Sequence, residues 1–222
     1  KIDICRFYGA GCTDEIQPMM ESILREVLAG DEQREMRIEV GSDLLGAAKA
    51  LCGKNEGIAC ILGTGSNSCL YDGEGIVAHT PALGYILGDE GSAVYIGKKL
   101  ICDCIKGQLP EDITASFFEE TKLSVDTIIN KVYREPIPNR FLGYVSRFCH
   151  AHLEKKEIRE LVIGCFCDFL NRNVRNYGRN DLKVNFVGTI AYVYEKELRE
   201  AGRRCGMMIG RIMKSPLEGE ET

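Results

Sequence analysis

Between Gly57 and Gly75 the chain reads GIACILGTGSNSCLYDGEG. An unbroken apolar run, Ile58 to Leu62, stops at five small residues, Gly63-Thr64-Gly65-Ser66-Asn67, and a second run follows from Ser68 to Tyr71. A short apolar run bounded by turn residues has the length of a buried strand. Asp72-Gly73-Glu74-Gly75, followed by Ile76 to His79, has the composition of a tight turn into a third strand. The expected unit is an antiparallel meander. Its faces need cover from other elements, and those must come from the text on either side.

Upstream, Ile2, Ile4 and Phe7-Tyr8 precede Gly9-Ala10-Gly11, after which Ile16, Met19, Met20, Ile23, Leu24, Val27 and Leu28 fall at helical spacing. This predicts a strand from Ile2 to Tyr8 and a helix with Asp14 as its N-cap, Gln17 three residues on, Pro18 in the first turn and Gly30 at its end. Met36, Ile38 and Val40 alternate as a second strand. Gly41 and Ser42 lead into a helix carrying Leu44, Leu45, Ala48 and Leu51, with Gly53 past its end. Strand, helix, strand, helix implies parallel pairing.

Downstream, the text is helical from Ser92 to about Tyr177, and Pro136-Ile137-Pro138-Asn139 separates two of the helices. The clearest helix places Ile158, Leu161, Val162, Cys165, Phe166, Phe169, Leu170, Val174 and Tyr177 on one stripe and ends at Gly178. Val184, Phe186 and Val187 predict a strand that breaks at Gly188-Thr189 into a helix from Ile190 through Ala201. A last strand is expected over Met207 to Met213, with a polar tail after Ser215-Pro216.

Charge narrows the partners. The 222 residues carry a net charge of −5, and neither nucleic acid nor an anionic membrane attracts such a chain. No apolar run approaches the roughly 18 residues of a membrane span, so a cytoplasmic protein is expected. Eleven cysteines, an odd number without a CxxC pair, fit free thiols better than a disulfide framework. Cys102 and Cys104, Cys165 and Cys167, and His150 and His152 are each two residues apart in helical text, where side chains diverge, so no metal site is expected from them. The chain opens at Lys1 directly on strand-like text, and the expectation is that an N-terminal part precedes it.

Four stretches could carry chemistry. In Gly63 to Asn67, alternating glycines let a backbone approach a ligand, and Thr64, Ser66 and Asn67 add short donors, so the segment could surround phosphate oxygens or be a plain glycine hairpin. Asp43 stands where a strand meets a helix, a usual place for catalytic groups in α/β sheets. A carboxylate there could be a general base or a routine first-turn acid. Gly84 to Ser92, GYILGDEGS, sets Asp89 and Glu90 between glycines, to face sugar hydroxyls or a metal, or to cap a helix. Gly188-Thr189 is a strand-to-helix turn that could admit a nucleotide.

Val40-Gly41-Ser42-Asp43, Leu62-Gly63-Thr64-Gly65-Ser66-Asn67, Gly88-Asp89-Glu90-Gly91-Ser92 and Phe186-Val187-Gly188-Thr189-Ile190-Ala191, in this order, resemble the N-acetylglucosamine kinase branch of the BadF/BadG/BcrA/BcrD-type ATPases. That family has the actin, hexokinase and Hsp70 superfold. The resemblance implies an α/β protein of two ribonuclease H-like domains closing over a cleft. Residues 1–56 would be the C-terminal part of the first domain, 57–214 the second with a helical segment at 92–177, and 215–222 a tail. It implies ATP and Mg²⁺ as cofactors and an amino sugar as small-molecule substrate, and leaves a homodimer open.

Asp43 then resembles the base that takes the proton of the sugar 6-hydroxyl. Gly63, Thr64, Gly65, Ser66 and Asn67 resemble the second phosphate loop. Thr64, Gly84, Asp89 and Glu90 make the expected sugar-contacting set, and Gly188 and Thr189 the start of the adenosine motif. Two departures follow. The family's first phosphate loop, an Asp-x-Gly-x-Thr turn whose Asp organises Mg²⁺, is not found in residues 1–222, so this stretch alone is expected to be inactive. Leu83, after Ala82, stands where many animal members carry an aromatic, which loosens the assignment to N-acetylglucosamine itself. Competing readings are an ATPase of the dehydratase-activator type, which would need exposed cysteines for an iron-sulfur cluster, and a non-catalytic sugar or nucleotide sensor.

Overall fold

The computed structural model describes residues 3–29 and 36–219. Ile2 and Gly30, expected to open the first strand and close the first helix, lie outside the described residues. Two sheets are present among the described residues. The smaller pairs β1 (Ile4–Gly9) in parallel with β2 (Arg37–Ser42). The larger contains β3 (Gly57–Leu62), β4 (Ser66–Tyr71), β5 (Ile76–Thr80), β6 (Val184–Val187) and β7 (Ile209–Met213) in the order β5-β4-β3-β6-β7. The meander β3-β4-β5 is antiparallel, and β6 and β7 add in parallel beside β3. This mixed sheet between helices is the ribonuclease H-like architecture that the resemblance implies.

The apolar run of β3 is continuous because both of its faces are covered. Alternate residues Ile58, Cys60 and Leu62 enter the main core, while Ala59 enters a second, smaller one. Among the described residues eleven helices surround the strands, α1 (Gln17–Ala29) and α2 (Asp43–Cys52) lying before the large sheet. Between β5 and β6 come α3 (Gly84–Leu87), α4 (Ala93–Ile105), α5 (Glu111–Thr121), α6 (Val125–Tyr133), α7 (Pro138–Val145), α8 (Arg147–Ala151) and α9 (Lys156–Arg172). Helices α10 (Thr189–Val193) and α11 (Glu195–Cys205) join β6 to β7. Short 3-10 turns stand at Val174–Tyr177 and Pro216–Gly219.

The main core is built on α9. Ile158, Val162, Phe166 and Phe169 are fully buried there, and each contributes about 1.5–3 kcal/mol relative to exposure. The other face of the large sheet is covered by α2, whose Leu44, Ala47, Ala48 and Leu51 pack with Ala59, Cys69, Tyr71, Val187 and Met213. Gly46 brings α2 against the smaller sheet as well: a Cβ there would stand 2.6 Å from Cγ of Tyr8 on β1. One helix therefore joins both sheets.

Local expectations differ from the structure at several boundaries, among them α9, which ends at Arg172 and leaves Val174 and Tyr177 to a separate 3-10 turn before Gly178. Helix α1 starts at Gln17, because the Thr13 carbonyl accepts from the amides of both Ile16 and Gln17 in a preceding turn. Asp14 is thus not its N-cap; its Oδ1 accepts from Nε2 of Gln17 at 3.0 Å. Strand β4 starts at Ser66, two residues early, since Ser66 and Asn67 pair with Leu62 and Ile61. The helix expected over 190–201 is two, broken at Tyr194, whose buried hydroxyl donates to the Ser146 carbonyl. Strand β7 starts at Ile209 rather than Met207.

Candidate active site

Asp43 is the first residue of α2, and its position follows from the helix's direction. The C-terminal end of α2 lies at the start of β3: a Cβ on Gly57 would stand 2.8 Å from Sγ of Cys52, and Tyr71 Oη donates to the Gly53 carbonyl at 3.3 Å. Helix α2 thus runs antiparallel to β3, and Asp43 lies toward the strand's C-terminal end. Ser42 caps the helix by accepting from the Leu45 amide at 3.2 Å. Asp43 is therefore not needed as the cap. Its Oδ1 accepts from its neighbour's amide, Leu44, at 2.8 Å, and the half-buried side chain lines an open cleft of about 850 Å³.

At the same edge, β3 ends in the turn Gly63-Thr64-Gly65. The Gly63 amide donates to the Gly65 carbonyl at 3.0 Å, closing the turn. The carbonyls of Gly63 and Thr64 accept from the first amides of α4, Ala93 and Val94, at 2.9 and 3.3 Å. Ser92 Oγ accepts from Tyr95 N at 3.2 Å. The N-terminus of α4 is thus spent on holding the turn and is not a free anion site. The amides of Thr64 and Gly65 themselves make no hydrogen bond among the described residues. Nothing stands within 4 Å of where a Gly63 Cβ would be. The turn has room and donors for an anion. Ser66 and Asn67 stand apart from it in β4, where Asn67 Oδ1 accepts from the Ser68 amide at 3.0 Å and contacts Nε2 of His79 at 2.8 Å.

Asp89 faces this turn. Its Oδ1 accepts from the Ser66 amide at 3.4 Å, and a Cβ on Gly65 would stand 3.0 Å from its Oδ2. Only a glycine lets the carboxylate lie flat against the loop. Burial raises the Asp89 carboxyl above the ordinary range, opposed by the Ser66 amide. Asp89 also has φ +56°, a left-handed conformation that Asp tolerates better than most residues. Gly84, with φ +71°, follows Leu83, with φ +61°, at the exposed start of α3. Gly84 meets the turn that carries Asp89 through its carbonyl, which accepts from the Gly88 amide at 2.8 Å, and the next carbonyl, of Tyr85, accepts from Lys98 Nζ at 3.1 Å.

Glu90 is turned elsewhere. It is 6% exposed, and its two oxygens accept from Nε of Arg172 at 2.7 Å and Nδ2 of Asn173 at 3.3 Å. Sequence reasoning missed both partners, because an Arg-Asn pair at the end of a long helix has the composition of an ordinary C-terminus.

The fourth segment meets the first. Gly188 has φ +123° and ψ 158°, and a Cβ there would stand 2.3 Å from the Leu62 carbonyl oxygen. Its amide donates to Met213 O at 3.0 Å. Gly188 and the exposed Thr189 thus stand against the residue that precedes Gly63. The Gly63 turn, Asp89 and Gly188 come from sequence positions far apart yet meet at the C-terminal end of β3, whereas Asp43 lines a cleft with Arg6, Tyr8, Glu39 and Lys49 that none of those three borders.

The cleft beside Asp43 holds a group the sequence did not reveal. Tyr8 Oη donates to Glu39 Oε1 at 2.6 Å, Lys49 Nζ pairs with the same oxygen, and Arg6 Nε stands 3.5 Å from Oε2. These side chains tie β1, β2 and α2 together. Among the described residues, no group of three or more His, Cys, Asp or Glu could hold a metal ion, and no helix is long and apolar enough to cross a membrane. All eleven cysteines are free.

No protein-family model matches the chain, and no curated protein matches it. Among solved structures, a crystal structure from Porphyromonas gingivalis, provisionally named an N-acetylglucosamine kinase, superposes with a TM-score of 0.90 at 47% identity, over 98% of this chain and 76% of its own. A provisionally named N-acetylglucosamine kinase from Chromobacterium violaceum shares the fold at 17% identity, with a TM-score of 0.63 over 88% of this chain and 70% of its own. The first match is close enough, over enough of both chains, to fix kinship as well as architecture. The chain belongs to the actin/hexokinase-type sugar kinase family that contains the Porphyromonas gingivalis protein.

Proposed function

We propose that the protein transfers the γ-phosphate of ATP to the 6-hydroxyl of N-acetylglucosamine or a related amino sugar. The observation that carries this reading is the meeting of the Gly63–Gly65 turn, Asp89 and Gly188 at the C-terminal end of β3, with Asp43 at the start of the helix that covers the same sheet. In this reaction Asp43 accepts the proton of the sugar hydroxyl as its oxygen attacks the γ-phosphorus and ADP leaves. Helix α2 is capped by Ser42, which leaves the second oxygen of Asp43 open to the cleft.

The unpaired amides of Thr64 and Gly65 suit phosphate oxygens, and Gly188 and Thr189 border the nucleotide on the neighbouring turn. Asp89 offers its carboxylate to sugar hydroxyls, with Thr64 at the acyl group. Rate then comes from positioning and electrostatics rather than from covalent chemistry. Mg²⁺ belongs to this reading through the family's first phosphate loop, which residues 1–222 do not contain. The described residues assemble no ligand set for the ion, and no step is assigned to it. On this account residues 1–222 by themselves show no turnover, and α2 is the connection between a first domain ending near 56 and a second starting at 57. A cytoplasmic location fits the free thiols.

The test is ADP release by the native protein with N-acetylglucosamine, glucosamine, N-acetylmannosamine and glucose. Release that depends on an amino sugar and disappears in Asp43→Ala supports the kinase. Release indifferent to every sugar refutes it and favours an ATPase that drives conformational work.

A further inference from the structure

The turn that carries Asp89 is held from behind. Gly88 lies so close to the preceding segment that a Cβ would stand 2.1 Å from the Ala82 carbonyl oxygen. Gly91 lies against α9, where a Cβ would stand 3.0 Å from Cβ of Phe169. Between these two contacts the Asp89 amide donates to Ala82 O at 3.2 Å, and the Ser92 amide to Asp89 O at 3.1 Å. Glu90 is the side chain that anchors this turn to α9, through Arg172 and Asn173. Asn173 in turn accepts from Thr80 Oγ1 through its own carbonyl at 3.0 Å, so the end of β5 is tied to the same junction.

Glu90 is 6% exposed, both of its oxygens accept hydrogen bonds from protein side chains, and the pocket it borders, with Ala82, Leu83 and Arg172, is one that no residue of the Gly63–Gly65 turn lines. Its neighbour Asp89 sits at φ +56°, a left-handed conformation that even Asp adopts at some cost and that the contacts on either side hold in place. We infer that Glu90, held by Arg172 and Asn173, is a positioning residue: it fixes the left-handed turn that sets the Asp89 carboxylate against Ser66 and so determines affinity for the sugar. This rests on the kinase reading above, and it replaces direct sugar contact by Glu90 with an indirect role.

The test compares Glu90→Gln, Arg172→Lys, Asp89→Asn and the double variant Asp89→Asn/Glu90→Gln in the native protein, by sugar KM, ATP KM, kcat and amide hydrogen exchange. Loss of one charge-assisted contact at Glu90 should raise the sugar KM on the order of tenfold, with ATP KM unchanged. Exchange at the Ser66 amide should quicken in Glu90→Gln, and Arg172→Lys, which keeps the charge on an exposed side chain, should retain most of the affinity. Because Glu90 acts through Asp89, the double variant should bind sugar no worse than Asp89→Asn alone. Additive losses would overturn the proposal in favour of direct sugar contact, and a lower melting temperature with unchanged sugar KM would overturn it in favour of a purely structural role. If the unaltered protein shows no sugar-dependent ADP release, the kinase reading falls, and the positioning role falls with it.

Discussion

Replacing Gly188 by alanine tests the contact that brings the two glycine turns together. Two costs can be worked from the structure. At φ +123° and ψ 158° the backbone is in a region essentially confined to glycine, and an alanine held there costs about 1–3 kcal/mol. The new Cβ would also stand 2.3 Å from the Leu62 carbonyl oxygen and 2.8 Å from its carbon. Those are backbone atoms of a central strand and cannot rotate away, so overpacking adds about 1–3 kcal/mol. The sum is about 2–6 kcal/mol, a large part of the stability of an ordinary domain. Urea denaturation should show a lower midpoint with an unchanged slope. The melting temperature should fall by on the order of 10 °C. A variant that keeps its midpoint within the equivalent of about 0.5 kcal/mol would refute the reasoning, because the turn could then open without cost.

Further outcomes follow from the same geometry. Glu39 is held below its ordinary value of 4.5 by hydrogen bonds from Lys49 and Tyr8, so its contribution is present above that value and lost as pH falls through the lower, folded one. The stability gap between the unaltered protein and Glu39→Gln should be constant at neutral pH and shrink in acid. Asp89 has the opposite sign: burial raises its carboxyl above 3.8, so the ionised form costs stability at neutral pH. Asp89→Asn should unfold at higher denaturant than the unaltered protein at pH 7, lose that advantage below 3.8, and bind sugar poorly throughout. Ser42→Ala should cost about 1 kcal/mol through the lost cap, whereas Asp43→Asn should leave the denaturation curve nearly unchanged while removing turnover. Among the thiols, exposed Cys102 should react with an aromatic disulfide reagent in the folded protein. Cys60 and Cys149, fully buried and with thiols pushed well above 9.0 by burial, should react only on unfolding.

The sequence was most informative where one local rule decided the outcome. The run Ile58 to Leu62, the Asp72-Gly73 turn leading into Ile76, and the alternation of Met36, Ile38 and Val40 each declared a strand, and β3, β5 and β2 stand there, β2 starting one residue after Met36. The stripe from Ile158 to Tyr177 declared α9 for the same reason, although its last two members, Val174 and Tyr177, fall in a separate 3-10 turn. Boundaries failed where a distant partner intervened. Tyr194 stands at the break between α10 and α11, and its hydroxyl donates to Ser146 O, 48 residues away, a contact that leaves no trace in the local pattern.

The site was legible as four motifs but not as an arrangement. Nothing in the spacing shows that Gly65 and Gly188 are glycines for contact reasons, one against Asp89 and the other against Leu62. Glu90 is the clearest case, since two adjacent acids in one turn look equivalent in sequence. The fold buries one carboxylate against Arg172 and Asn173 and sets the other beside the Gly63–Gly65 turn. The group formed by Arg6, Tyr8, Glu39 and Lys49 was hidden for the same reason, because its members lie on three separate elements.

The central claim is that Asp43 serves phosphoryl transfer to a sugar hydroxyl, and the product itself tests it most directly. Native protein incubated with ATP, Mg²⁺ and N-acetylglucosamine should yield a sugar phosphate whose ³¹P resonance couples to the protons on carbon 6. Asp43→Asn, folded to the same denaturation midpoint, should yield none. Product formed at an undiminished rate by Asp43→Asn, or ATP consumed by the unaltered protein with only inorganic phosphate appearing, would contradict the account.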